Sequence, residues 1–200
     1  MLNFLNRTAA LTLLGSSLVL TTGMLAGCAT TVERVDTSEE IALSDQWNAK
    51  DSELVANEMI GDMLSFPWAS EFEMDNNRKP AVIVQRISNK SHEHIAVDTF
   101  INDIKRAVVR SGKANFVAAG DARDQLRDER RDQELNSADA KAMGQEKAAD
   151  FALSGTINSI VDEAGKKRVT FYQVDLSLID MESNIEVWSG QKKIQKLQKR

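Results

Sequence analysis

Arg168-Val169-Thr170-Phe171-Tyr172-Gln173-Val174-Asp175-Leu176-Ser177-Leu178-Ile179-Asp180 is the stretch that settles the architecture. From Tyr172 to Leu178 every second residue is apolar, and the residues between are Gln173, Asp175 and Ser177. Successive side chains of a strand point to opposite faces, so this pattern predicts a strand with one packed and one wet face, the habit of antiparallel sheets. Upstream, residues 151–161 alternate Phe151, Leu153, Ile157 and Val161, and Glu163-Ala164-Gly165-Lys166 supplies a turn. Downstream, a turn at residues 181–184 precedes a third strand from residue 185 to about residue 195.

A sheet that is dry on one side needs helices to cover it. Residues 51–64 carry Leu54, Val55, Met59, Ile60, Met63 and Leu64 near helical spacing, with Asp51 or Ser52 placed to cap the first turn. Pro67 disfavours helical geometry at Phe66 and starts a short second turn toward Phe72. Trp47, Phe66, Trp68 and Phe72 are expected to fix this N-terminal element to the rest. A strand at residues 81–87 follows Pro80. Asp98 is placed to cap a helix bearing Phe100, Ile101, Ile104, Ala107 and Val108, which ends at Ser111-Gly112. A strand is expected at residues 115–118. A charged helix at residues 122–134 has Leu126 as nearly its one large apolar residue, and a shorter helix is expected at residues 137–147 behind a Ser137 cap. The sum is an α+β two-layer sandwich, with helices on one face of a mixed four- to five-stranded sheet.

The N-terminus reads as an address. Arg7 supplies the early positive charge, an apolar run covers residues 9–20, and Leu25-Ala26-Gly27-Cys28 places the chain's single cysteine behind small residues. That is the layout of a lipoprotein signal peptide. The run is about a dozen residues, short of the ~20 needed to span a bilayer. Residues 1–27 are therefore expected to be removed, leaving Cys28 to carry diacylglycerol on its thiol and a further acyl chain on its amine. Two or three chains make a stable anchor where one binds only marginally. Residues 28–44 are polar and without sustained period, a tether of on the order of 50 Å at about 3.4 Å per residue when extended. Residues 45–200 form the globular domain.

Thirty acidic residues against 25 basic ones give a net charge of −5. Loss of the leader, with Arg7 and no acid, would leave the chain slightly more acidic, which argues against a general nucleic-acid binder. With its one cysteine spent at the anchor, the fold is expected to hold without disulfides. Catalytic signals are weak. There is no G-x-S-x-G elbow or phosphate-binding glycine loop. His92 and His94, with Asp98 nearby, are the only histidines, and zinc ordinarily takes three or four protein ligands. An envelope hydrolase using these three is the weakest reading; loop hydrogen bonding and capping of the following helix are preferred. No catalytic residue, metal or cofactor is expected beyond the covalent lipid on Cys28. Surface recognition is better supported. Lys166, Lys167 and Arg168 sit at the predicted hairpin tip, and Lys192, Lys193, Lys196, Lys199 and Arg200 crowd the last strand. In an acidic chain such a patch can steer an acidic partner, although lysines also protect edge strands. The candidate contacts are Lys166, Lys167, Arg168, Tyr172, Lys192 and Lys193, with Tyr172 equally placed to enter the core.

Longer runs carry a resemblance. Asn89-Lys90-Ser91-His92-Glu93-His94-Ile95, Asp98-Thr99-Phe100-Ile101-Asn102-Asp103-Ile104, Gly155-Thr156-Ile157-Asn158-Ser159-Ile160, Phe171-Tyr172-Gln173-Val174-Asp175-Leu176 and Trp188-Ser189-Gly190-Gln191-Lys192-Lys193-Ile194 resemble the LpoB family. The resemblance implies a domain like the N-terminal domain of TolB. It also implies a non-enzymatic, monomeric outer-membrane lipoprotein facing the periplasm. Such a protein would bind a bifunctional class A penicillin-binding protein and stimulate its glycosyltransferase and transpeptidase activities. Enteric members carry a long Pro-rich tether, whereas residues 29–44 are short and lack Pro. Ala29 follows the expected lipidated position, and by resemblance to the sorting rule of enteric-type Gram-negative bacteria, where Asp there marks inner-membrane retention, it fits outer-membrane sorting. The alternative function is a structural or assembly lipoprotein of the envelope with a different partner.

Overall fold

The computed structural model describes Arg34, Asp36 and residues 44–199. The chain divides into two units, Met1–Glu39 and Glu40–Arg200, and every element below belongs to the second. Cys28 and nearly all of the expected tether lie outside the described residues.

Among the described residues four helices and five strands follow in the order α1 (Ala49–Met63), α2 (Trp68–Asn76), β1 (Ala81–Lys90), α3 (Val97–Ser111), β2 (Asn115–Phe116), α4 (Gly120–Asn136), β3 (Phe151–Ala164), β4 (Lys167–Asp180) and β5 (Glu186–Lys199). The sheet runs β2-β1-β3-β4-β5. β1 pairs in parallel with both β2 and β3, while β3, β4 and β5 form an antiparallel meander. This is the two-layer α+β arrangement with a mixed sheet that the alternation predicts.

β4 holds the register of the whole. Thr170, Tyr172, Val174, Leu176 and Leu178 are buried, and the residues between them are half-buried on the opposite, helix-free face. Register places Leu153 and Trp188 beside Leu178, and Ile157 beside Val174, so one side chain set from β3, β4 and β5 faces α1 and α3. Those helices answer with Val55, Ala56, Met59, Ile60 and Met63 from α1 and Phe100, Ile104 and Val108 from α3. Deleting one of these large side chains would cost roughly 2–5 kcal/mol, the usual transfer and cavity effect. Gly155 faces this layer for a steric reason, since a Cβ there would lie 2.2 Å from the Asp175 carbonyl oxygen.

Several local expectations are corrected. The cap of α1 is Asn48, whose side chain accepts from Asp51 N at 3.0 Å while Asp51 Oδ2 accepts from Asn48 N at 2.8 Å, a reciprocal capping box. Asp98 lies inside the first turn of α3 and caps nothing; Ala96 occupies the cap. α2 runs on to Asn76, because Trp68 and Phe72 pack on Phe151 with ring centroids 4.9 and 5.4 Å apart. The helix expected at residues 137–147 is absent: the segment is irregular, Gly144 takes φ +75°, and Glu146 reaches back to α4. Tertiary ion pairing replaces a helix that had few apolar positions to bury. The hairpin loop shortens to Gly165-Lys166, with Gly165 at φ +59°, the left-handed geometry that two-residue hairpin loops place on glycine.

Candidate functional site

The register spreads the predicted basic residues from the β3–β4 hairpin tip, at Lys166, Lys167 and Arg168, to mid-β4, where Lys192 and Lys193 pair with Val174 and Gln173, and sets them on two different faces. Lys167 and Lys193, at odd positions, lie on the helix-free face, and both are exposed, as is Lys166 in the loop. Arg168 and Lys192, at even positions, lean toward the helices. Lys192 Nζ bonds Glu58 Oε1 of α1 at 2.6 Å, so its charge is partly answered within the domain. Lys196 is tied to Asp51 and to the Gln46 carbonyl in the same way.

Tyr172 is not a surface residue. It is 0 % exposed, because its place in the alternation turns it to the packed face, and this removes its side chain from the candidate contacts. Its hydroxyl donates to Glu93 Oε1 at 2.5 Å and lies 3.0 Å from the Asp45 carbonyl oxygen. Burial, and next the Glu93 carboxylate, push the phenol well above its ordinary value of 10.0. It is a neutral donor at any physiological pH.

Around Tyr172 lies a polar fastening for which the sequence offers little signal. Glu93 also accepts from Trp47 N at 2.8 Å, and the Trp47 ring meets Tyr172 edge-on at 5.6 Å and Phe100 at 6.3 Å. Asp45 is buried; the Thr170 hydroxyl donates to it, and Arg168 Nε sits 2.8 Å from Asp45 Oδ2. That Nε is off the line needed for a hydrogen bond, so the contact is an ion pair. The Thr170 bond leads, and the Arg168 charge adds to it, in holding the Asp45 carboxyl below its usual value against the opposing effect of burial. Arg168 further pairs with Glu163 at 3.0 Å and approaches His92 Nε2 at 3.3 Å, while His92 Nδ1 lies 2.7 Å from Ser159 Oγ. Arg168 is thus largely spent inside the domain, clamping the entry of the chain onto β4. His92 is held by loop hydrogen bonding to Ser159, as expected, but the expected capping of the following helix is not made, since α3 has no side-chain cap. Among the described residues no group of three or more His, Cys, Asp or Glu is arranged to hold a metal ion.

The helix-free face next to the exposed lysines has an apolar centre. Ile160 is 67 % and Leu197 53 % exposed, and the half-buried Phe171 and Val169 lie between them on β4. Phe171 is opposite Ile160 on one side and Gln195 on the other; Val169 is opposite Asp162 and Leu197. Lys167 sits directly across from Lys199, a like-charge cross-strand pair that is mildly unfavourable until an anion approaches. The face thus combines an apolar strip in its middle with exposed lysines at its margins, the composition common to protein interfaces in general. The strip itself escapes a search for basic residues, because Ile160, Val169 and Phe171 read as core until the alternation assigns them to the other face.

Among the described residues no helix is long and apolar enough to cross a membrane. No curated protein matches the chain significantly. A family model described as the peptidoglycan-synthase activator LpoB matches residues 51–194. Solved structures similar to the chain include the LpoB C-terminal domain from Salmonella enterica, at 12% identity over 73% of this chain and 99% of that one with a TM-score of 0.43. The NMR structure of Escherichia coli LpoB matches at 14% identity, over 95% of this chain and 96% of that one, with a TM-score of 0.42. The lipoprotein GNA1162 from Neisseria meningitidis matches at 14% identity over 58% and 83%, with a TM-score of 0.38.

Proposed function

The chain belongs to the LpoB family, and from that premise we propose that it is a non-catalytic activator of a bifunctional class A penicillin-binding protein, raising both glycan polymerisation and peptide crosslinking. The observation that carries the reading is the family match across residues 51–194. The strip of Ile160, Val169, Phe171 and Leu197 beside Lys167, Lys193 and Lys199 is the surface that fits a regulatory contact. In this reading the apolar strip anchors and the lysines steer, so the synthase presents an acidic rim around an apolar patch. Activation then requires tighter binding to the active conformer than to the resting one; a tenfold difference corresponds to about 1.4 kcal/mol. Lipid on Cys28 would hold the domain at the outer membrane, facing the periplasm, and limit which synthases it reaches.

The test is reconstitution with purified synthase. The chain lacking residues 1–28 is expected to bind and to stimulate both activities, and the Lys167→Glu/Lys193→Glu double variant to bind at least tenfold more weakly with a flatter salt dependence. A fragment that neither binds nor stimulates overturns the proposal. Recovery of a different envelope protein as the partner would point instead to an assembly role.

A further inference from the structure

At the opposite edge of the sheet, β2 and α4 bound a groove that the activator reading does not use. α4 buries none of its residues, yet its charges are sorted. Arg123, Arg127 and Arg130 recur at i, i+4 and i+7 with Leu126 among them, while Asp121, Asp124, Asp128, Glu129 and Asp132 take other positions. The arginine stripe is turned to the domain: Arg123 Nε donates to the Ala118 carbonyl at 2.8 Å, and Arg127 and Arg130 reach Glu146 at 3.0 and 2.7 Å. Between helix and strand remains a groove of about 310 Å³, lined by Asn115, Phe116, Val117, Leu126, Arg130 and Lys147 among others, within the range of ordinary ligand sites. Its one acid, Glu146, is outnumbered by Arg123, Arg130 and Lys147.

The strand wall of that groove is an open sheet edge. Asn115 N donates to the Pro80 carbonyl at 2.8 Å and Val117 N to the Val82 carbonyl at 2.9 Å. Backbone groups of alternate residues in a strand point to opposite sides, so Phe116 turns its N–H and C=O away from β1 and toward the groove. An edge strand facing a helix across an apolar floor is the geometry in which extended peptides add as a further strand. We infer that the β2–α4 groove binds an extended, acidic peptide segment of a partner protein by strand addition at Phe116, with its carboxylates directed to Lys147, Arg123 and Arg130. Charge complementarity chooses the occupant, since the net positive lining stands out in a chain of net charge −5. Because β2 and β5 are opposite edges of the sheet, this site and the lysine-edged strip can be filled together.

The probe is a fluorescein-labelled hexapeptide alternating valine and glutamate, titrated into the full-length chain in detergent. Two controls carry glutamine for glutamate, or N-methyl groups on alternate amides. Expected are saturable binding, at least tenfold weaker for each control, and amide shifts at residues 115–118 in NMR. Lys147→Glu leaves the Glu146 pairs with α4 intact and is expected to weaken the probe at least fivefold with unchanged circular dichroism. Absence of binding, binding indifferent to both controls, shifts confined to β5, or self-association of the chain that excludes the probe would each overturn the inference.

Discussion

Replacing Tyr172 by Phe removes one oxygen atom from the interior and nothing else. The ring remains in the core beside Trp47, 5.6 Å between centroids, and the volume change leaves no cavity large enough to repack. Lost are the 2.5 Å donation to Glu93 and the 3.0 Å contact to the Asp45 carbonyl. A hydrogen bond to a charged acceptor contributes roughly 1.5–3 kcal/mol. Glu93 keeps Trp47 N as a donor, which argues for the lower half of that range, about 2 kcal/mol. For a domain of this size that lowers the melting temperature by roughly 4–8 °C. Urea unfolding followed by tryptophan fluorescence should show a lower midpoint at unchanged slope, since the surface exposed on unfolding is the same. Affinity of the folded variant for its partner should stay within about twofold, because the hydroxyl is enclosed. Stability within about 0.5 kcal/mol of the parent would refute the polar fastening. A tenfold affinity loss at full stability would return Tyr172 to the surface.

Acid should loosen the domain. Asp45 sits below its ordinary 3.8 chiefly through Thr170, and Asp180 is lowered chiefly by the Ser183 backbone N–H. Burial pulls Asp150 upward, yet Arg78 and the Ala81 N–H outweigh it and leave it lowered as well. A carboxyl held low in the folded state takes up its proton more readily in the unfolded chain. The stability these groups give is present above about pH 4 and drains away as pH falls through their folded values, and Asp45→Asn should flatten that slope in acid titrations monitored by circular dichroism. Gly155→Ala would set a methyl 2.2 Å from the Asp175 oxygen and 2.5 Å from Leu176 Cδ2; a loss of about 1–3 kcal/mol is expected in denaturant melts, and an unchanged midpoint would contradict the packing of β3 on β4. Phe171→Ala, on the helix-free face, should weaken synthase binding by tenfold or more while costing little stability. The reverse pattern would place that ring in the core.

Legibility was uneven for a physical reason. The alternation of Tyr172, Val174, Leu176 and Leu178 is local, so the meander, its packed and wet faces, and the helices needed to cover one of them could all be read along the chain. The cluster of lysines is local too. Pairing across long separations is not. Nothing near residue 45 announces that Asp45 will meet Thr170 and Arg168, nor that Glu93 will gather Trp47 and Tyr172. Residues 137–147 look helical in isolation, but Glu146 is drawn to Arg127 and Arg130 on α4 instead.

The sequence by itself determined the α+β class, the order of most elements and the concentration of positive charge near the hairpin and last strand, because each follows from spacing over a few residues. Only the tertiary structure decided which of those charges face outward. Register put Lys167 and Lys193 on the helix-free face beside Phe171 and sent Arg168 and Lys192 to acids within the domain. A one-residue slip would exchange the two sets, and the partner that holds the register is the core itself.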